Sequence, residues 1–277
     1  MFDMKKILGF LGLAALTLSL AACGNGDAAK KADANQLKSI QDAGVIKVAT
    51  SADFAPFEFH TVSNGKDKIV GADVDLANEI AKDLGVKVEF MDMEFNAVLT
   101  ALDQGKADVA ISGISATKER KKSFDFSDNY FVPEQLVVVK KENVDKFKDL
   151  ESLADKKIGA QKGSIQESVV TSQLPKAQLV ALAKVPNLIV EVKQGSIDAL
   201  VLESAVAKAY VAQNPDLAIA SAPLKSSDDE SYAIAMKKDS KELKAKINAV
   251  IKKLQDENKI SEFVEKNSAL AESQAKK

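Results

Sequence analysis

The chain has no tryptophan, three tyrosines, one cysteine and one histidine in 277 residues. A single cysteine excludes an internal disulfide. His60 has no cysteine or histidine to join it, so neither a metal centre nor a Ser-His catalytic pair is supported. Stacking aromatics are few, and 38 basic residues offset 40 acidic ones to leave a formal charge of -2. That composition offers no platform for nucleic acid. No Gly-rich phosphate loop occurs, and no cofactor is expected. Arginine is nearly absent too: every basic residue is lysine except Arg120. Lysine suffices for a solvated surface charge, whereas arginine presents a planar fork that grips a carboxylate with paired donors.

Long hydrophobic runs are also missing, apart from one at the front. Lys5 and Lys6 precede an apolar stretch, Ile7 to Leu20, that is shorter than the roughly 20 residues of a membrane span. It closes on Leu20-Ala21-Ala22-Cys23, small residues set as at a secretory cleavage site. The stretch resembles a bacterial lipobox. Residues 1–22 are expected to be a lipoprotein signal peptide, with Cys23 lipidated as the mature N-terminus. Two acyl chains anchor stably where one does not. Residues 23–42, small, polar and lysine-rich at their start, read as a flexible linker. The expected location is the extracellular face of the cytoplasmic membrane.

What remains alternates strands with helices and predicts an α/β fold. Val45–Thr50 reads as a first strand that empties into a Phe-rich loop, Ser51 to Phe59. Val74 to Leu84 follows helical spacing and stops at Gly85; Lys87 to Met91 alternates; Phe95 to Gln104 is helical and stops at Gly105. Asp73 and Asp75 read as charges complementing a helix start. Gln135 to Lys140 is a valine-rich strand, and Lys141 to Leu153 a charged surface linker with a short helix. A second series follows: strand 157–160, helix to about Leu174, strand 178–182, helix 185–193, strand 199–202 and a helix to about Asn214. Tyr232 to Met236 returns as a strand before a long amphipathic helix, Ser240 to Asn258.

One segment echoes another. Gln104-Gly105-Lys106-Ala107-Asp108-Val109-Ala110-Ile111 resembles Gln194-Gly195-Ser196-Ile197-Asp198-Ala199-Leu200-Val201. Each is a helix end, a glycine cap, an aspartate and a buried strand, which predicts two lobes of similar build. Ligands of open α/β sheets sit at the carboxyl ends of such strands. The first copy ends in Ser112-Gly113-Ile114-Ser115 and reaches Arg120; the second ends in Leu202-Glu203. A guanidinium facing a carboxylate matches a zwitterionic amino acid. Thr117 is placed to cap the helix after Ser115, whose N-terminus would favour the same anion. Phe54 and Phe95 could wall the cleft, and Gly163-Ser164 could donate to the anion.

These marks together resemble the bacterial extracellular solute-binding proteins of family 3, the polar amino-acid receptors of ABC importers. They are Ala55-Pro56-Phe57-Glu58-Phe59, Gly71-Ala72-Asp73-Val74-Asp75-Leu76-Ala77, Ser112-Gly113-Ile114-Ser115, Thr117-Lys118-Glu119-Arg120 and Phe124-Asp125-Phe126-Ser127-Asp128. The resemblance implies a two-lobe periplasmic-binding-protein-like clamp of type II, with mainly parallel sheets and two hinge crossings. Lobe 1 would span 43–135 and return at 229–277; lobe 2 would span 136–228. It further implies that Arg120 and Ser115 hold the ligand carboxylate with N–H groups after Gly163. Glu203 and the Gly113 carbonyl would take the ammonium, and Phe54 and Phe95 would sandwich the side chain. Ser51, Gln161, Ser164, Ile165 and Leu202 complete the expected pocket. Where relatives place an acid, this chain has Ser51, so a neutral side-chain site is expected, favouring glutamine over arginine. The implied partners are an amino acid, an ABC permease and its ATPase, and the membrane through the N-terminal lipid. A monomer and no enzymatic activity are expected. The alternatives are an enzyme on the same scaffold, resembling cyclohexadienyl dehydratase, and a ligand sensor.

Overall fold

The computed structural model describes residues 36–63 and 65–274. Cys23 and the signal peptide lie outside the described residues. The strands are β1 Val45–Thr50, β2 Asp53–Phe54, β3 Glu58–Ser63, β4 Lys66–Val70, β5 Lys87–Asp92, β6 Val109–Ala110, β7 Phe124–Phe126 and β8 Gln135–Lys140. The rest are β9 Lys157–Gln161, β10 Gln178–Leu182, β11 Ala199–Glu203, β12 Leu217–Ala220 and β13 Ala235–Lys237. The α-helices are α1 Gln36–Ala43, α2 Ala72–Leu84, α3 Phe95–Asp103, α4 Arg120–Ser123, α5 Ile165–Gln173, α6 Val185–Gln194, α7 Ser204–Gln213, α8 Lys241–Asp256 and α9 Lys259–Gln274.

Two five-stranded sheets carry the two lobes, in the orders β5-β1-β6-β13-β7 and β10-β9-β11-β8-β12. Read in those orders, both sheets show two parallel pairings followed by two antiparallel ones. The sheets are therefore mixed rather than mainly parallel. The reason is the crossing chain: β8 enters the second sheet, and β13 returns to the first, antiparallel to the strand each lies beside.

The sequence echo has a matching structural form. Gly105 and Gly195 both take positive φ, 70° and 81°, ending their helices in the left-handed conformation that glycine tolerates. Asp108 then accepts the Lys47 N–H at 2.8 Å and gives its own N–H to the Lys47 carbonyl at 2.9 Å. Asp198 repeats this with Lys157, at 2.9 and 2.8 Å. In both lobes the aspartate pins the strand that follows it to its neighbour in register.

The apolar residues behave as their periodicity predicts. Both faces of β8 and β11 are buried, with Val137, Val138, Val139, Leu200 and Val201 each at 0% exposure and divided between two core clusters. Leu243, Ile247, Val250, Ile251 and Leu254 form the buried stripe of α8. Several expectations are revised. Helix α1 occupies residues assigned to the linker and buries Ile40. The segment 141–153 holds short helical structure, as two 3₁₀ turns, but is not wholly a surface linker: Phe147 and Leu153 enter the second lobe's core. A three-stranded sheet, β2-β3-β4, stands where a loop and a turn were expected. Asp73 is no solvated helix-start charge. It is 2% exposed and accepts from Gly113 N at 2.9 Å and Tyr130 Oη at 2.8 Å.

Candidate functional site

Ten of the eleven expected pocket residues line one small cavity between the lobes: Ser51, Phe54, Phe95, Gly113, Ser115, Arg120, Gln161, Ser164, Ile165 and Glu203; Leu202, the eleventh, packs into the core instead. Asp53, Glu58 and Gln166 line it as well. The first sheet brings Ser51 past the end of β1 and Gly113 and Ser115 past the end of β6. The second brings Gln161 at the end of β9 and Glu203 at the end of β11. The cavity is thus built at the carboxyl ends of corresponding strands, as the echo predicts.

Arg120 sits on the first-lobe side. Its N–H donates to Thr117 Oγ1 at 3.2 Å, so Thr117 does cap the turn. That helix is four residues long, too short for its dipole to matter much. Nη1 donates to the Ser115 carbonyl and Nη2 to the Gly163 carbonyl, both at 3.0 Å, the second across the cleft. The group lies 5.8 Å from the Phe95 ring centroid, a cation–π distance. Burial lowers its pKa to about 10, an effect that the Glu203 charge opposes.

Glu203 sits opposite. It is 2% exposed, and its Oε2 has no hydrogen-bond partner among the described residues. Burial raises its pKa to about 7; hydrogen bonding from Gln166 and the Arg120 charge resist the rise, and Glu230 adds to it. A buried acceptor left open beside a cavity is costly unless something arrives to satisfy it.

Two donors play a different part from the one expected. The Gly163 N–H is taken by Glu167 Oε2 at 2.9 Å, and Ser164 Oγ donates to the Gln161 carbonyl at 2.6 Å. The first N–H groups of α5, at Ile165 and Gln166, have no intrahelical acceptor and remain as the donors of this wall. Gly113 has φ +53°, and a Cβ there would lie 3.0 Å from Phe54 Cε1. Its lack of a side chain lets the phenylalanine close the cavity.

The expectation of a neutral side-chain site is overturned. Ser51 is indeed uncharged, but Asp53 stands two residues on and Glu58 seven on, both in the lining. Asp53 is 8% exposed, and burial raises its pKa against the opposing effects of the Val185 N–H and Lys184. Glu58 is fully buried; Ser112 Oγ donates to its Oε1 at 2.7 Å, and that same hydroxyl accepts the Ser51 N–H at 3.0 Å. Desolvation and the neighbouring Asp73 push the Glu58 carboxyl well above its usual range. Glu58 and Asp73 thus form a buried acid pair beneath the cavity floor.

Among the described residues no cluster of three or more His, Cys, Asp or Glu side chains could hold a metal. No helix among them is long and apolar enough to cross a membrane.

The chain is 35% identical over 265 residues to the arginine-binding extracellular protein ArtP of Bacillus subtilis (strain 168), covering 95% of this chain and 98% of that relative. It is 32% identical over 273 residues to the ABC transporter glutamine-binding protein GlnH of the same organism, covering 95% and 97%. A crystal structure of an amino acid ABC transporter substrate-binding protein from Streptococcus pneumoniae Canada MDR_19A, bound to L-arginine, superposes with a TM-score of 0.83. It shares 45% identity and covers 84% of this chain and 98% of that one. The model of the bacterial extracellular solute-binding proteins, family 3, matches residues 46–268, and the chain belongs to that family.

Proposed function

We propose that the protein is a lipid-tethered receptor that closes on an L-amino acid and hands it to an ABC permease driven by a separate ATPase. The observation that carries this is the pairing of Arg120 with Glu203 on opposite walls of one interlobe cavity, the carboxylate holding an unpartnered buried oxygen. Arg120 and the α5 N–H groups would hold the ligand carboxylate; Glu203 and the Gly113 carbonyl would hold its ammonium. A zwitterion satisfies both walls at once, so it binds the closed clamp better than an open one. Phe54 and Phe95 would flank the side chain.

The ligand we favour is arginine, with glutamine second. Beyond the Arg120–Glu203 pair the lining holds two more acids, Asp53 and Glu58, and no further base; burial and Asp73 hold Glu58 toward its neutral form, so the environment that suits an added positive charge rests on Asp53. The relatives named for arginine support the same order. The pKa of Glu203, about 7, also suits a general acid. An enzyme of the cyclohexadienyl dehydratase kind would therefore convert prephenate or arogenate on incubation, whereas a receptor leaves both intact. Thermal-shift measurement against the twenty amino acids, followed by calorimetry, tests the receptor: arginine should raise the unfolding midpoint most. If no amino acid raises it, the proposal fails. Recovery of the mature protein without an acyl group on Cys23, by mass spectrometry, would remove the tether.

A further inference from the structure

Asp53 belongs to the first lobe's small sheet, yet most of its bonds cross the cleft. Its Oδ2 accepts the N–H of Val185, the first residue of α6, at 3.1 Å. Its Oδ1 takes a longer contact from Gln161 Nε2, at 3.4 Å, and its carbonyl accepts from Tyr210 Oη at 2.7 Å. These partners come from β9, α6 and α7, three elements of the second lobe. Within its own lobe Asp53 takes a 3.3 Å contact from Ser51 Oγ and donates its N–H to the Ser51 carbonyl at 2.8 Å.

We propose that Asp53 is a closure latch, a positioning residue that sets the population of the closed clamp and through it the affinity for every ligand alike. It rests on the receptor reading above only in so far as closure is what retains the ligand. The Val185 N–H begins a helix and has no intrahelical acceptor, so in the closed form it depends on Asp53. Opening returns carboxylate, N–H and phenol to water, and closing exchanges that water for three interlobe bonds. Their energy belongs to the difference between the two states, which is the only kind of contact that can shift a two-state equilibrium. The Tyr210 bond makes the point most cleanly: Tyr210 is not among the cavity's lining residues, so its hydroxyl acts on lobe 2's position alone.

A counter-ion to the ligand's side chain would behave differently. It would matter for a cationic ligand and be neutral or adverse for an uncharged one. The test is calorimetry of Asp53→Asn and Tyr210→Phe with arginine and with glutamine, beside small-angle X-ray scattering of each ligand-free protein. The latch predicts that glutamine and arginine both weaken, by roughly tenfold in Asp53→Asn and a few-fold in Tyr210→Phe. It also predicts a larger radius of gyration without ligand. Loss of arginine binding alone, with glutamine and scattering unchanged, overturns it, as does no change in either variant. Should Asp53→Asn fail to fold, Tyr210→Phe decides by the same criteria. Should the wild type bind no amino acid, the receptor proposal falls and the ligand-free scattering alone decides the latch.

Discussion

Glu203→Gln is expected to make the ligand-free protein more stable and the receptor worse. Burial raises the carboxyl from its ordinary 4.5 to about 7, so the ionised form is the costly one in the folded chain. Below pH 4.5 both folded and unfolded states keep the proton, and no cost arises. As pH rises through this window the unfolded chain releases its proton first, and above about 7 the full cost is present. At about 1.4 kcal/mol per pKa unit the ceiling is about 3 kcal/mol, reduced by any opening that hydrates the carboxylate. The isosteric amide removes that cost. For a chain of this size about 2–4 °C accompanies each kcal/mol. The variant's ligand-free midpoint should therefore exceed the wild type's by several degrees at pH 8 and by much less at pH 5. Ligand affinity should move the other way, because the ammonium loses a charge-assisted bond of about 1.5–3 kcal/mol, roughly a ten- to 150-fold weakening. Differential scanning fluorimetry at the two pH values and calorimetry at pH 8 supply both readouts. A variant less stable than wild type at pH 8, or one that binds as well, would show that the carboxylate serves packing rather than ligand.

Arg120→Lys should weaken amino-acid binding well over tenfold by calorimetry, since one ammonium cannot span the Ser115 and Gly163 carbonyls and still present a fork to a carboxylate. Gly71→Ala should yield little folded protein, judged by circular dichroism and recovery. Gly71 has φ +140°, and an added Cβ would lie 1.9 Å from the Phe57 carbonyl oxygen. Backbone must move there, a cost of about 3 kcal/mol or more, and the start of α2 with Asp73 moves with it.

Legibility in the sequence followed how far each residue's neighbours reveal its element. The framework was readable because helices such as Val74–Leu84 and Ser240–Asn258 are long enough to display period, and because Gly85, Gly105 and Gly195 mark their ends. Arg120 and Glu203 were readable through a repeated local pattern, whose aspartates turn out to make the same pair of backbone bonds in each lobe. Asp53 and Glu58 were not. Asp53 lies in a strand of two residues, too short to alternate, and Glu58 begins a strand whose far half is half-buried to exposed, Val62 included. An acid in such a segment has the composition of a loop, and only tertiary packing buries it. Asp73 failed for the opposite reason: its helix was recognised, and a first-turn acid already has a sufficient local explanation in the dipole. What the local account could not contain is that Gly113 N–H and Tyr130 Oη, 40 and 57 residues away, converge on it. The same logic explains the mistaken neutrality of the pocket. Charge was sought at the one position where relatives keep an acid, Ser51, whereas the cavity's field comes from every buried carboxyl whose backbone happens to pass it. Asp53 reaches the cavity two residues along the same chain segment, held there by the second lobe, so whether the site is acidic depends on an interlobe contact that no window of sequence spans.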